Sequence, residues 1–273
     1  MKLYISADIE GVGGIAHFDS GTAGNFDYGE ARLWMTNEVV AACEGAHEAG
    51  CDEVIVSDSH YNGRNILVDR LPSFVRLVRC WPRPLLMMEG VQEEGVVGAV
   101  FLGYHVGAAS AEGLCPHTVN GGVFSDMRVN GQSVSETHIS ALAAGELGVP
   151  VLLATGDDAY VRHATAVLGD IETVQTKVAI SHTAATTLPP EQCCELIRKA
   201  TIKAVARRSE IAPYLSPWPV DFDIAFKGNR IAELLAMLPQ FERLNGYTVR
   251  ARPTSARELS RILDFITQMV SLK

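Results

Sequence analysis

No apolar run in this 273-residue sequence approaches the ~18 residues a membrane-spanning helix needs. The longest candidate, 95–110, contains His105 and several glycines. Basic charge is also scarce: 23 Lys and Arg against 32 Asp and Glu give a formal net charge of −9. A surface that neutralises phosphates shows the opposite balance, so nucleic acid is not an expected partner. The six cysteines, Cys43, Cys51, Cys80, Cys115, Cys193 and Cys194, show no CxxC spacing, which argues against a zinc knuckle or a thioredoxin-type site. Internal repeats and low-complexity segments are lacking. The run Gly11-Val12-Gly13-Gly14 has neither GxGxxG nor GxxxxGK[ST] spacing, so a nucleotide loop is not indicated. Lys2–Ser6 reads as a strand rather than a signal peptide, and the expected location is the cytoplasm.

The chain does have ample core material, 47% hydrophobic against 20% charged residues. At ~150 residues per domain the length suits one large domain or two joined ones. Strands are expected at Lys2–Asp8, Glu53–Asp58, Val96–Tyr104, Pro150–Thr155, Glu172–Val178 and Val220–Phe226. A helix is expected over Gly29–Ala49, with Ala31, Met35, Val39, Ala42 and Ala46 on one face and Gly50 as its stop, and another from about Ser255. Strands separated by helices imply crossovers, hence an α/β fold with a largely parallel or mixed sheet and flanking helices. Asn130-Gly131 signals a tight turn. The prolines of 213–219 suggest a boundary between a metal-binding catalytic region, 1–212, and a packed C-terminal section, 213–273. Cys193 shares a helical stripe with Leu196, Ile197, Ala200 and Ala204 and reads as packing; Cys115 is the one cysteine placed to be reactive.

Residues with chemistry gather where strands end. Asp8 and Glu10 are two apart and project from one face if the backbone is still extended there. The second strand runs into Asp58-Ser59-His60, the third into Gly103-Tyr104-His105. Ligands of open α/β sheets collect outside the carboxyl ends of strands, so Asp8, Glu10, His60 and His105 can converge. Imidazoles with carboxylates suit Zn²⁺ or Mn²⁺. With a third carboxylate the site carries −3, which two Zn²⁺ and one hydroxide would balance. Each piece also has a plainer reading: Asp8 and Glu10 as solvated turn residues, Asp58–His60 as a cap and turn, His105 as a hydrogen-bonded core histidine. His17, His47, His138, His163 and His182 read as surface or structural residues.

Ser6-x-Asp8-x-Glu10-Gly11 resembles the signature of the zinc-dependent D-aminopeptidases, peptidases encoded with bacterial dipeptide-transport genes. The resemblance continues through Met35-Thr36-x-Glu38, Asp58-Ser59-His60, Glu89-Gly90, Phe101–His105 and Gly156-Asp157-Asp158, covering about residues 1–160. It thins afterwards to Met237-Leu238-Pro239 and Thr248-Val249. The resemblance implies two zinc ions per subunit, with Asp8 bridging, Glu10 and His60 on one ion, and His105 and Glu136 on the other. Read from spacing alone, Ser133-Val134-Ser135-Glu136 is a capping box in which Glu136 closes a helix start. The family's catalytic histidine corresponds to His117 in Cys115-Pro116-His117-Thr118, where a proline replaces a small polar residue. The implied activity is hydrolysis of short peptides with an N-terminal D-amino acid, of the D-alanine type, by zinc-activated water. The implied assembly is a homo-oligomer, in the family a decamer of two stacked pentamers. A dinuclear amidohydrolase or esterase of other specificity, or a non-catalytic metal-dependent peptide binder, would fit the same residues.

Overall fold

The computed structural model describes residues Met1–Ser271. Its first layer is a seven-stranded sheet in the order β3-β2-β1-β4-β7-β8-β9. These are β1 (Lys2–Ala7), β2 (Glu53–Asp58), β3 (Val75–Val78), β4 (Val96–Leu102), β7 (Val151–Asp157), β8 (Glu172–Ser181) and β9 (Ala184–Thr187). All pairings are parallel except β8 with β9. Leu3 to Ala7 are all buried, the near-continuous apolar run expected of a strand covered on both faces.

Helices α1 (Tyr28–Glu48) and α4 (Pro190–Ala206) cover one face, packing Met35, Val39, Ala42, Ile197 and Ala204 against Leu3, Ile5, Val56 and Val100. Helices α2 (Glu136–Glu146) and α3 (Asp158–Leu168) cover the other, with Ala141, Leu142 and Tyr160 against Tyr4, Ile55 and Phe101. Cys193 and Ile197 face the core as the α4 stripe predicts, whereas Leu196 turns outward. The expected α1 helix ends where predicted, at Gly50 with φ +90°. β1 and β4 stop one and two residues short of expectation. Gly103, at φ +69°, turns the chain out of β4, and a Cβ there would lie 2.4 Å from the Asp8 carbonyl oxygen.

The second layer is an antiparallel sheet in the order β11-β12-β10-β5-β6, built from β5 (Phe124–Val129), β6 (Gln132–Ser133), β10 (Phe222–Phe226), β11 (Glu242–Arg243) and β12 (Thr248–Ala251). Asn130 and Gly131, at φ +51° and +83°, form the tight β5–β6 turn that their sequence signals. The section from 213 onward does not supply this sheet alone: β10 pairs on one side with β12 and on the other with β5, from the first region. α5 (Asn229–Leu235) and α6 (Ala256–Ser271) pack on it, with Leu259, Leu263 and Ile266 against Phe124, Phe222 and Ile224. Ile139 of α2 joins that core. No helix among the described residues is long and apolar enough to cross a membrane.

Candidate metal centre and active-site cavity

In the parallel sheet the chain proceeds outward from β1 in one direction (β2, β3) and from β4 in the other (β7, β8). The carboxyl ends of β1 and β4 therefore form the switch point at which such folds open a crevice. Asp8 and Glu10 follow β1, His60 follows β2 and His105 follows β4. Register keeps these ends level, with Ala7 opposite both Asp58 and Leu102. Asp8 N–H still donates to Leu102 O at 2.8 Å. At Gly11 a Cβ would lie 2.2 Å from Tyr104 O, so only glycine lets the two ligand-bearing loops pass this closely.

All five residues expected to hold metal, and His117, meet in one buried cluster. Asp8 lies between two imidazoles, with Oδ1 3.1 Å from His60 Nδ1 and Oδ2 3.5 Å from His105 Nε2. Glu10 Oε2 is 3.1 Å from His60 Nδ1, and Glu136 Oε2 is 3.4 Å from His105 Nε2. His117 Nε2 is farther out, 3.8 Å from Glu10 Oε1 and 4.0 Å from Glu136 Oε1, with its ring stacked on His105 at 4.0 Å. Asp8, Glu10 and His60 form one group whose ligand atoms all lie within 4.8 Å of one another; His105, His117 and Glu136 form a second.

Each imidazole is oriented by a backbone carbonyl. His60 Nε2 meets Gly21 O at 2.9 Å, His105 Nδ1 meets Val106 O at 2.8 Å and His117 Nδ1 meets Cys115 O at 2.8 Å. A carbonyl only accepts, so each ring carries its proton on that side. The second nitrogen of a neutral ring then aims a lone pair at carboxylates. That is repulsive unless a proton or a metal ion lies between. Among the described residues no lysine or arginine pairs with Asp8, Glu10 or Glu136. Glu10 Oε2 and His105 Nε2 are buried without a hydrogen-bond partner. The residues therefore fit a pair of divalent cations, held by borderline N/O donors whose other ring nitrogens are already tied down.

With protons alone the cluster is strongly perturbed. Burial opposes charge on His60, yet Glu10 and Asp8 raise its pKa well above the ordinary histidine value; Glu136 and Asp8 do the same for His105. Burial pushes the Asp8 carboxyl up, but the facing imidazoles of His105 and His60 override it and hold the group well below the usual carboxylate range. Glu136 is lowered too, His105 outweighing its burial.

The reading of Glu136 as a cap is corrected by the local geometry. Ser133 lies in β6, and the N-cap of α2 is Ser135, whose backbone N–H donates to His138 Nδ1 at 3.1 Å. The box is displaced by two residues, which leaves Glu136 at the first helical position and free to face the cluster. There its Oε1 accepts the Val119 N–H at 2.6 Å. Cys115 is also not the reactive thiol its position suggests: it is buried, and burial pushes its pKa up to about 12. Of the remaining histidines, His138 and His163 share Ser135 Oγ, and His47 stacks on Phe74. His182 bonds Gly113 O. Asp58 and Asp157 serve the frame, accepting backbone N–H groups of Asn65 and Ile66, and of Leu114 and Tyr160, respectively.

The cluster forms the floor of a cavity of about 700 Å³, a size that suits a small ligand. Phe18, Tyr61 and Trp81 supply apolar lining. Lys227, Asp264, Thr267 and Gln268 line it from the C-terminal section. Sequence reasoning missed this wall because its residues lie in an amphipathic helix and a strand end with no motif around them.

A family model described as D-aminopeptidase matches residues 1–265. A D-aminopeptidase of Bacillus subtilis (strain 168) is 32% identical over 248 residues, covering 91% of this chain and 89% of that protein. A solved structure, the Zn-dependent D-aminopeptidase DppA from Bacillus subtilis, described as a self-compartmentalizing protease, superimposes with a TM-score of 0.93 at 30% identity. The match covers 100% of this chain and 99% of that one. With the match extending through both sheets and the C-terminal section, this chain belongs to the D-aminopeptidase family of peptidases.

Proposed function

We propose that this protein is a zinc-dependent aminopeptidase that removes D-residues, D-alanine in particular, from the N-terminus of short peptides. Asp8, Glu10, His60, His105 and Glu136 would hold two zinc ions, with Asp8 shared between them. The observation that carries this reading is the set of imidazole nitrogens aimed at buried carboxylates, with no lysine or arginine among the described residues paired to those carboxylates. Asp8 presents one oxygen to each side, as a bridging carboxylate would. Once bound, zinc would supply Lewis acidity at the scissile carbonyl and lower the pKa of the attacking water. The D-preference rests on the family and its relatives' names, and selection would lie in the cavity wall.

His117 is the proposed proton carrier. Its Nδ1–H is fixed by Cys115 O, so Nε2 alone faces the cavity floor, beyond the shorter contacts made by His60 and His105. From there Nε2 can take a proton from the attacking water and pass it to the departing nitrogen. Phe18 packs edge-on against this ring at 5.4 Å and limits its rotation. A second reading has support in the grouping of His117 with His105 and Glu136: His117 as a further metal ligand. We also propose a homo-oligomer, a decamer as in the family, in line with the self-compartmentalizing description of the similar structure.

The test is hydrolysis of D-alanyl and L-alanyl p-nitroanilides and dipeptides by metal-quantified protein, before and after chelation and zinc restoration. Release from D-substrates alone, lost on chelation and recovered with about two zinc per chain, is expected. Full metal occupancy with no turnover of either series would overturn the aminopeptidase reading. Turnover of both series alike would leave a peptidase without D-preference.

A further inference from the structure

Directly beside the cluster lies a buried cation that the chemistry above does not use. Lys177 on β8 is 1% exposed, and its ammonium forms no ion pair among the described residues. It instead donates to three backbone carbonyls: Glu10 O at 2.5 Å, Val12 O at 2.7 Å and Ile15 O at 2.5 Å. Three N–H donors meet three acceptors, so the group is fully satisfied. A buried ammonium is costly to desolvate, and its pKa is lowered by burial to about 8. Carbonyl oxygens converging on one point would repel one another without a cation, and Lys177 fills the place that a bound potassium or ammonium ion would otherwise take.

The three carbonyls belong to the loop after β1 that carries Glu10. While Glu10 O is turned to Lys177, the Glu10 carboxylate reaches His60 Nδ1 and His117 Nε2. Neighbouring groups hold the same loop. Thr176 Oγ1 donates to Gly11 O at 2.6 Å, and the buried Glu38 of α1 accepts the Gly13 N–H at 2.8 Å. A register shift opposite Gly156 and Asp157 lets the adjacent Thr176 and Lys177 both turn inward, against the alternation of a regular strand. His105 and Glu136 receive no such support from Lys177; their loops are held through Thr155, Asp157 and Val119.

We propose that Lys177 is a positioning residue for Glu10: its ammonium, acting as a built-in structural cation, fixes residues 10–15 so that the Glu10 carboxylate is presented to the metal centre. The inference rests on the dinuclear reading above. It makes an asymmetric claim, since the ion held by Glu10 and His60 depends on Lys177 and the ion held by His105 and Glu136 does not. A merely structural lysine would weaken both sites together or neither.

The experiment is zinc titration of the full-length protein against a competing chelator, with folding checked by circular dichroism and thermal melting. Folded Lys177→Met should bind one zinc as tightly as the wild type and the second at least ~10-fold more weakly, the usual effect of losing a group that orients a ligand. Lys177→Ala should show the same asymmetry and recover with propylammonium, which replaces the missing carbons and ammonium. Tetramethylammonium, which has no N–H donors, should not restore it. If Lys177→Met does not fold, Thr176→Val provides the test, with a smaller loss confined to one ion. Two wild-type affinities in a folded variant, or equal weakening of both, would overturn the proposal. A wild type that binds fewer than two zinc ions would instead overturn the dinuclear reading.

Discussion

Two clusters of charge, one on each sheet, use their carboxylates in opposite ways. Across β10 and β12, Asp223 faces Arg250 in register and receives two guanidinium bonds at 2.5 and 2.8 Å. Asp221 pairs with Arg250 and Arg252, and Glu242 with Arg252. Every acid there has a permanently charged partner, and the groups are partly open to water. At the switch point of the parallel sheet, the only side chains that pair with Asp8, Glu10 and Glu136 among the described residues are imidazoles, and the carboxylates have side-chain exposures of 4–5%. In the antiparallel ladder every carboxylate already has a guanidinium partner. The switch-point cluster is complete only after it takes up protons or metal, and this difference separates a frame from a site.

Replacing Asp8 should break that contrast most severely. Asp8→Asn removes the one carboxylate that faces both histidines of the centre. If both ions lose several kcal/mol of transition-state stabilisation, kcat/KM should fall by roughly 10⁴-fold or more, at 1.36 kcal/mol per decade. Zinc content measured by plasma emission should fall with it. Asp223→Asn, the matched change in the ladder, should leave zinc content intact. An Asp8→Asn protein with two zinc ions and ordinary turnover would place the centre elsewhere.

His117→Ala comes next. As a proton carrier its loss should lower kcat by about 10²–10⁴-fold while both zinc ions stay bound. Loss of one zinc would support the second reading, in which His117 is a ligand. The variant thus decides whether the outer imidazole belongs to the chemistry or to the electrical balance of the cluster.

What the sequence made legible follows the same divide. Asp8, Glu10, His60 and His105 were readable because parallel strands end in short polar motifs, and one topological rule carries such ends to one crevice. Glu136 lies at a helix start, where spacing suggests a cap; only the displacement of the N-cap to Ser135 frees it. Lys177 gave no signal, because a lysine in a strand ordinarily points to water and the irregularity that turns it inward arises from pairing with β7. The antiparallel sheet was the least legible part. Its strands are short and its central strand β10 lies nearly a hundred residues from its partner β5, so the 213–219 prolines suggested a divide that the β5–β10 pairing crosses.

Acidity should distinguish the metal-free from the loaded protein. His60 and His105 are raised well above ~6.5, so the stability they lend the metal-free fold is fully present below that pH and is lost as pH rises through their folded-state values. Asp8 and Glu136 are lowered, and their contribution disappears only in acid, well below ~4. Zinc requires neutral imidazoles, so it binds more tightly as pH rises. Melting of chelated and zinc-loaded protein between pH 5 and 9 should therefore show a Tm gap that widens with pH. A gap that stays constant or narrows would mean that the imidazoles are not what zinc displaces protons from.

The smallest expected effect lies where the C-terminal section meets the cavity. Lys227, just after β10, lines the wall opposite the carboxylate floor and forms no ion pair among the described residues. If that section contributes recognition rather than chemistry, Lys227 should attract the free carboxylate of a short peptide bound by its amino end at the floor. An exposed ion pair of this kind contributes ~0.2–1 kcal/mol, so Lys227→Met should raise KM for free-acid peptides by no more than about 5-fold and leave kcat unchanged. The corresponding peptide amides should show no change in KM, and the effect on free acids should shrink as salt is added. An equal loss on acids and amides would assign Lys227 to the shape of the wall. A fall in kcat would mean that the antiparallel layer takes part in the reaction, and the division between frame and site would then run through α6 and β10 rather than between the sheets.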